Sequence, residues 1–91
     1  MTHTKTEKQL KELSRKNKVY VLMLYNDEVN TFDHVIDSLI RVCGHNREQA
    51  EQCTYLVHYV GKCDVKRGSR KELKPLMEAL GERGLTAEIK E

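Results

Sequence analysis

The most informative segment for the fold of this chain is Val19-Tyr20-Val21-Leu22-Met23-Leu24-Tyr25. Its side chains are β-branched, aromatic or aliphatic, and no polar residue interrupts them. Such a continuous apolar run is typical of a strand that is covered on both faces and lies in the centre of a small sheet. The turn-rich segment from Asn26 to Thr31 ends this strand.

Two helices are predicted directly after the strand. Thr31 is placed to cap the first helix, and Gly44 is placed to end it. Between them, apolar residues recur with the period of an amphipathic helix. Asn46 and Gln49 form a capping-box pattern for the second helix, which Gly61 ends.

The next two elements are a short strand and a third helix. Cys63-Asp64-Val65 alternates as a strand does, and Ser69 with Glu72 makes another capping-box pattern. Pro75 would then be the sixth residue of the helix, where a backbone N–H is needed. We therefore expect the third helix to begin nearer Glu72, which leaves the proline in its first turn.

Gly84 ends the third helix, and Leu85 to Ile89 completes the chain as a last strand. The predicted order is β-α-α-β-α-β, which is an α+β fold with a three-stranded sheet and helices packed on one face. Residues 1–17 carry interleaved Lys and Glu with few apolar residues, so we expect a flexible N-terminal extension there. Residues 18–91 are expected to form a single core domain.

The composition excludes several classes of protein. The chain has 91 residues, enough for one small domain, and its net charge of +2 is too small for a nucleic-acid-binding face. No apolar run approaches the roughly 18–20 residues that cross a membrane, and no signal-peptide core is present. We expect a cytoplasmic monomer with no membrane or nucleic-acid partner.

The cysteines and histidines do not suggest catalysis or metal binding. Cys43, Cys53 and Cys63 are an odd set spaced ten apart, unlike a disulfide framework or a zinc site, so we expect buried small hydrophobic residues. Cys53 and His58 are about 140° apart around one helix and should not converge. Because no nucleophile has a base at a workable spacing, we expect no enzyme, no cofactor and no metal site.

Two short polar motifs are the candidate functional residues. Asn26-Asp27-Glu28 follows the first strand, and Val57-His58-Tyr59-Val60-Gly61-Lys62 ends the second helix. An Asn oxygen, two carboxylates and a neutral His nitrogen are hydrogen-bond acceptors, and the carboxylates add negative charge. This set is better suited to holding a cation, such as a free amino group, than to catalysing a reaction.

Together with Val35-Ile36-Asp37-Ser38-Leu39, these motifs closely resemble ClpS, the adaptor family of the ATP-dependent Clp protease. The resemblance runs from Val21 to Lys62. It implies an adaptor that binds N-degrons, which are proteins beginning with Leu, Phe, Tyr or Trp, and delivers them to an AAA+ unfoldase of the ClpA or ClpC type.

The resemblance also implies roles for individual residues. The residues assigned to the α-amine of the substrate are Asn26, Asp27, Glu28 and His58. The residues assigned to an apolar pocket for the first side chain are Asn30, Phe32, Val35, Thr54 and Val57. The family usually has Thr-Pro-Met where this chain has Asn30-Thr31-Phe32, and often Met at Thr54. The resemblance implies that the loop Met guards the pocket against β-branched residues, so we expect an altered preference among Leu, Phe, Tyr and Trp.

Other functions remain open. A divergent ClpS-like protein could modulate the unfoldase without binding N-degrons, and the departures at Asn30, Phe32 and Thr54 are the reason to keep that alternative. The ribosomal stalk protein's C-terminal domain has a similar α+β architecture, so a ribosome- or RNA-associated domain is a second alternative. The acidic Asn26-Asp27-Glu28 motif argues against it, because carboxylates repel phosphate.

Overall fold

The predicted architecture is confirmed by a computed structural model, which describes residues 18–91. The predicted extension at residues 1–17 lies outside the described residues. The elements are β1 (Tyr20–Tyr25), α1 (Phe32–Cys43), α2 (Arg47–Val60), β2 (Lys62–Gly68), α3 (Arg70–Glu82) and β3 (Thr86–Lys90). Both β2 and β3 pair antiparallel with β1, so the apolar first strand is central, as its composition predicted.

The helices cover one face of the sheet only. Leu22 and Leu24 of β1 are buried against them, whereas Val21 and Met23 point to the other face and are partly exposed. The prediction of cover on both faces was therefore wrong. Met23 is shielded instead by its neighbours within the sheet, because it pairs with Asp64 of β2 and Glu88 of β3. A central strand can thus stay apolar on a face that no helix covers.

Side-chain caps set the helix starts as predicted. Thr31 accepts a hydrogen bond from the backbone N–H of His34, and Asn46 forms a complete capping box with Gln49. Gly44 closes α1 with a φ of 69°, in the left-handed region that favours glycine. Because these signals are local, they could be identified without knowledge of the tertiary fold.

The start of α3 differs from the prediction. Ser69 caps the helix by accepting from the backbone N–H of Glu72 at 3.1 Å, so α3 begins at Arg70 and contains Pro75 in its interior. The proline leaves the carbonyl of Lys71 without its helical partner. Lys71 and Pro75 are both exposed, so water can donate a hydrogen bond to that carbonyl. The stabilisation by the Ser69 cap therefore outweighs the loss of one helical hydrogen bond.

The cysteines also differ from the prediction. Cys53 of α2 and Cys63 of β2 form a disulfide, with their Cα atoms 5.8 Å apart. They meet because Gly61 ends α2 and the chain turns back at once into β2. Cys43 is buried and free, and burial raises the pKa of its thiol to about 11, so this cysteine is the unreactive core residue that was expected.

Candidate ligand-binding site

A backbone hydrogen bond joins the two polar motifs. The N–H of Asn26, just after β1, donates to the carbonyl of Gly61, just after α2, at 3.0 Å. Gly61 can hold this position because its φ of 106° ends the helix and its own N–H bonds back to the carbonyls of Leu56 and Val57. The end of the first strand therefore lies beside the last turns of the second helix, where the sequence placed a shared site.

A cavity opens at this junction. Its lining residues are Leu24, Tyr25, Asn26, Asp27, Asn30, Phe32, Val35, Thr54, Val57, His58 and Leu85. All residues predicted for the site belong to this lining except Glu28, which is exposed and has a left-handed φ of 60° in the loop. The structure thus brings both predicted groups of residues into one cavity and leaves Glu28 outside it.

Three lining residues were missed by sequence reasoning. Leu24 and Tyr25 immediately precede Asn26 in the strand, so their closeness to the motif was a usable signal. Leu85 comes from the turn before β3 and is buried. Nothing near Leu85 in the sequence connects it to a motif almost sixty residues earlier, and only the pairing of β3 with β1 brings it there.

The inner wall of the cavity is apolar and fixed. Leu24, Val35, Val57 and Leu85 are each at most 8% exposed. Thr54 is buried among them, and its hydroxyl donates to the carbonyl of Ala50 at 2.7 Å. Because that hydroxyl bonds to its own helix, its proton is not available to a ligand. The wall is therefore suited to an aliphatic or aromatic group.

The cavity is small as it stands. Its volume is about 20 Å³, little more than one water molecule requires. For comparison, an apolar cavity of about 150 Å³ holds benzene. We therefore expect part of the lining to move outward when a bulky side chain enters.

Phe32 is the part of the lining that packs across from α1 to α2. It is the first residue of α1, it is only partly buried, and its ring packs edge-on against Tyr55 and His58 of α2. The ring centroids are 4.9 Å from Tyr55 and 5.5 Å from His58. This contact joins the two helices at the cavity, where Phe32 and His58 both belong to the lining.

The mouth of the cavity is rich in acceptors. The side-chain oxygen of Asn26 accepts a long hydrogen bond from the N–H of Glu28 at 3.4 Å, which leaves it able to accept another. The Asp27 carboxylate accepts from Asn30 and from the N–H of Val29. Asn30 therefore lies at the polar mouth, although the sequence assigned it to the apolar pocket.

His58 lies at the mouth opposite the loop. Its ring is exposed and packs against Phe32 and Tyr59, with a centroid distance of 4.9 Å to Tyr59. Within residues 18–91, neither ring nitrogen of His58 has a hydrogen-bond partner. A neutral imidazole held in this way presents one nitrogen that can accept from a ligand.

The described residues offer no site for a metal ion. No group of three or more His, Cys, Asp or Glu side chains within residues 18–91 could hold one. In the same part of the chain, no helix combines the length and the apolar character that a membrane span requires. The arrangement of the cavity, with acceptors above an apolar wall, fits binding of an amphipathic cation.

Comparisons with known proteins agree with the fold and the motifs. A search of curated proteins found no match. Among solved structures, Agrobacterium tumefaciens ClpS2 bound to L-phenylalaninamide shares the fold with a TM-score of 0.69 and 21% identity, over 81% of this chain and 96% of that chain. The family model for the ATP-dependent Clp protease adaptor protein ClpS matches residues 15–88. Because that match spans most of the sequence, the chain belongs to the ClpS family of Clp protease adaptors.

Proposed function

We propose that this adaptor binds proteins through a free α-amine and a bulky apolar first residue, and presents them to an AAA+ unfoldase of the ClpA or ClpC type. The observation that carries the proposal is the cavity whose acceptors, Asn26, Asp27 and His58, stand above an apolar wall. A protein N-terminus combines the same two chemistries within one residue, because its cationic amine and its side chain share one Cα atom.

The amine end of the site accounts for selectivity against blocked N-termini. A protonated amine has three N–H donors, and the Asn26 oxygen, the Asp27 carboxylate and a His58 nitrogen can accept from different directions. Charge-assisted hydrogen bonds contribute about 1.5–3 kcal/mol each. Acetylation removes the charge, so losing two of these bonds would weaken binding by at least about 100-fold. Glu28 adds negative charge near the mouth but is not among the proposed contacts.

The apolar wall accounts for selectivity between first residues. Burying a Leu or Phe side chain contributes about 1.5–3 kcal/mol relative to leaving it exposed, which is roughly a 10- to 150-fold gain over a small residue such as Ala. The related ClpS2 was solved with L-phenylalaninamide, a ligand with a free amine and an aromatic side chain. That ligand supports the same chemistry here.

Fluorescence anisotropy with labelled peptides tests the proposal. Peptides that begin with Leu, Phe, Tyr or Trp should bind, and the same peptides with acetylated N-termini, or beginning with Ala, should not. Asn26→Ala and His58→Ala should weaken binding. Gln52→Ala is the matched control, because this exposed amide lies on α2 outside the cavity. Equal binding of free and acetylated peptides would refute the amine site.

One observation favours a second function. The cavity, at about 20 Å³, encloses little space for a bulky residue while Phe32 packs against α2. A protein in which it stayed closed could still dock on the unfoldase and alter its activity without binding N-degrons. Binding to a reconstituted unfoldase, together with no affinity for any peptide with a bulky first residue, would identify this alternative.

A further inference from the structure

The side chain of Asn30 joins two parts of the molecule at the cavity mouth. Its amide nitrogen lies 2.8 Å from both carboxylate oxygens of Asp27 and 2.9 Å from the carbonyl oxygen of Gly84. All three partners are acceptors, so only the NH2 end of the amide can face them. One of its hydrogens is shared by the carboxylate oxygens, and the other is donated to the carbonyl.

This contact connects the loop after β1 to the turn that precedes β3. Gly84 belongs to the turn between α3 and β3, and its φ of 84° is in the left-handed region. Between Asn26 and the Thr31 cap, the N–H of Glu28 donates to Asn26 at 3.4 Å and the N–H of Val29 donates to Asp27 at 3.3 Å, and both of these hydrogen bonds are internal to the loop. The orientation of the Asp27 carboxylate therefore depends on Asn30.

We infer that Asn30 is a positioning residue, which holds the Asp27 carboxylate toward the cavity mouth so that it can accept from a substrate α-amine. The inference rests on the proposed function. A carboxylate has about four lone-pair positions. Asn30 and Val29 occupy those on the loop side, which leaves one for the ligand and prevents the group from rotating away.

The two contacts of Asn30 need a side chain that can donate two hydrogens at once. A threonine hydroxyl has one proton and could not donate to both Asp27 and Gly84, whereas the NH2 group of Asn30 donates to both at once. An aspartate at the same place would set a second negative charge against Asp27. The departure of this chain from the usual family residue therefore gives the loop a second attachment.

A double-mutant cycle separates positioning from a merely structural role. The affinity for a peptide beginning with Leu would be measured by NMR titration, so that millimolar dissociation constants remain accessible, in wild type, Asn30→Ala, Asp27→Ala and the double variant. Asn30→Ala should weaken binding by about 5- to 30-fold, a large part of one charge-assisted hydrogen bond. In the Asp27→Ala background the same change should have less than about a 2-fold effect.

The outcomes are distinct. The inference would be overturned if Asn30→Ala kept the wild-type affinity, or if it lost the same factor of affinity with and without Asp27. Failure of the wild-type protein to bind the peptide would instead overturn the proposed function, and the inference with it. Lys74→Ala, on the exposed side of α3, is the control substitution. If Asn30→Ala fails to fold by circular dichroism, Asn30→Thr replaces it in the cycle, keeps one donor and should show a smaller loss that still depends on Asp27.

Discussion

Removing the ring of Phe32 should open the cavity to larger first residues. The ring lies across the gap between α1 and α2, above an apolar wall that is already buried. The free cavity has a volume of about 20 Å³, so we expect a bulky side chain to displace Phe32 as it enters. Phe32→Ala removes the aromatic ring that would otherwise be displaced.

The size of the effect follows from the contacts that must break. Phe32 makes edge-on pairs with Tyr55 and His58, and such pairs contribute about 0.5–1.5 kcal/mol each. Moving the ring out therefore costs roughly 1–3 kcal/mol, which lowers the affinity for a bulky residue by about 5- to 150-fold. Phe32→Ala should recover most of that loss for Trp and Phe. Leu needs less space, so it should gain less.

The assay compares peptides that begin with Leu, Phe or Trp by anisotropy, in wild type and in Phe32→Ala. The preference should shift toward Trp and Phe. Tyr55→Ala is the matched variant, because Tyr55 contacts the ring but does not line the cavity. It removes one of the two pairs and should raise the affinity for Trp by about 2- to 13-fold.

Phe32→Ala also removes part of the apolar core. A fully buried Phe→Ala substitution costs about 3–5 kcal/mol, and the loss should be smaller for this partly exposed ring. Affinities should therefore be measured below the unfolding temperature of each variant. If Phe32→Ala keeps the wild-type ranking of Leu, Phe and Trp, and Tyr55→Ala has no effect on Trp, the ring does not close the cavity and the reasoning is refuted.

Three predictions concern stability. Replacing both Cys53 and Cys63 by alanine opens a loop of about ten residues, so the free energy of unfolding should fall by roughly 2–3 kcal/mol in non-reducing urea titrations; an unchanged midpoint would exclude the disulfide. Hydrogen bonding to Arg41, with help from the charge of Arg83, lowers the pKa of Asp37 below its ordinary value. Its carboxylate should therefore stabilise the fold above about pH 4 and lose that effect as the pH falls further. In thermal unfolding, the stability of Asp37→Asn should fall less steeply with decreasing pH than that of wild type. An identical pH profile for the two proteins would contradict this role. Pro75→Ala should restore a helical bond in α3 and raise the free energy of unfolding by about 1–3 kcal/mol, and a loss of stability in urea titrations would contradict it.

Local signals made the elements and the mouth of the site predictable. Thr31 and Asn46 cap helices by bonds that reach only three residues along the chain, and Gly61 ends α2 through its own backbone conformation. The ends of β1 and α2 were therefore known from sequence to within about a residue. The end of β1 and the end of α2 are held together by one further interaction, the backbone hydrogen bond between Asn26 and Gly61.

Contacts between distant parts of the chain were not predictable in this way. The amide of Asn30 bonds to Gly84, which is 54 residues away, and Leu85 reaches the cavity only through the sheet. The spacing of Cys53 and Cys63 in the sequence matched neither the pattern of a disulfide framework nor that of a zinc site. Their pairing depends on the reversal of the chain between α2 and β2, which no composition rule describes.

The position of the mouth and the volume of the apolar interior are determined by different parts of the structure. The position of Asn26 beside α2 is set by backbone atoms, so it does not depend on which side chain stands at residue 32. The volume beneath depends on how Phe32 packs, and volume is the space that remains after every lining side chain is placed. A motif can therefore indicate the amine site without indicating the size of the pocket.

It follows that Asn26→Ala should weaken the binding of peptides by a similar factor whatever their first residue is. Phe32→Ala should instead change the order of affinity among peptides with different first residues. A change in order with Asn26→Ala would show that the two parts of the site are coupled.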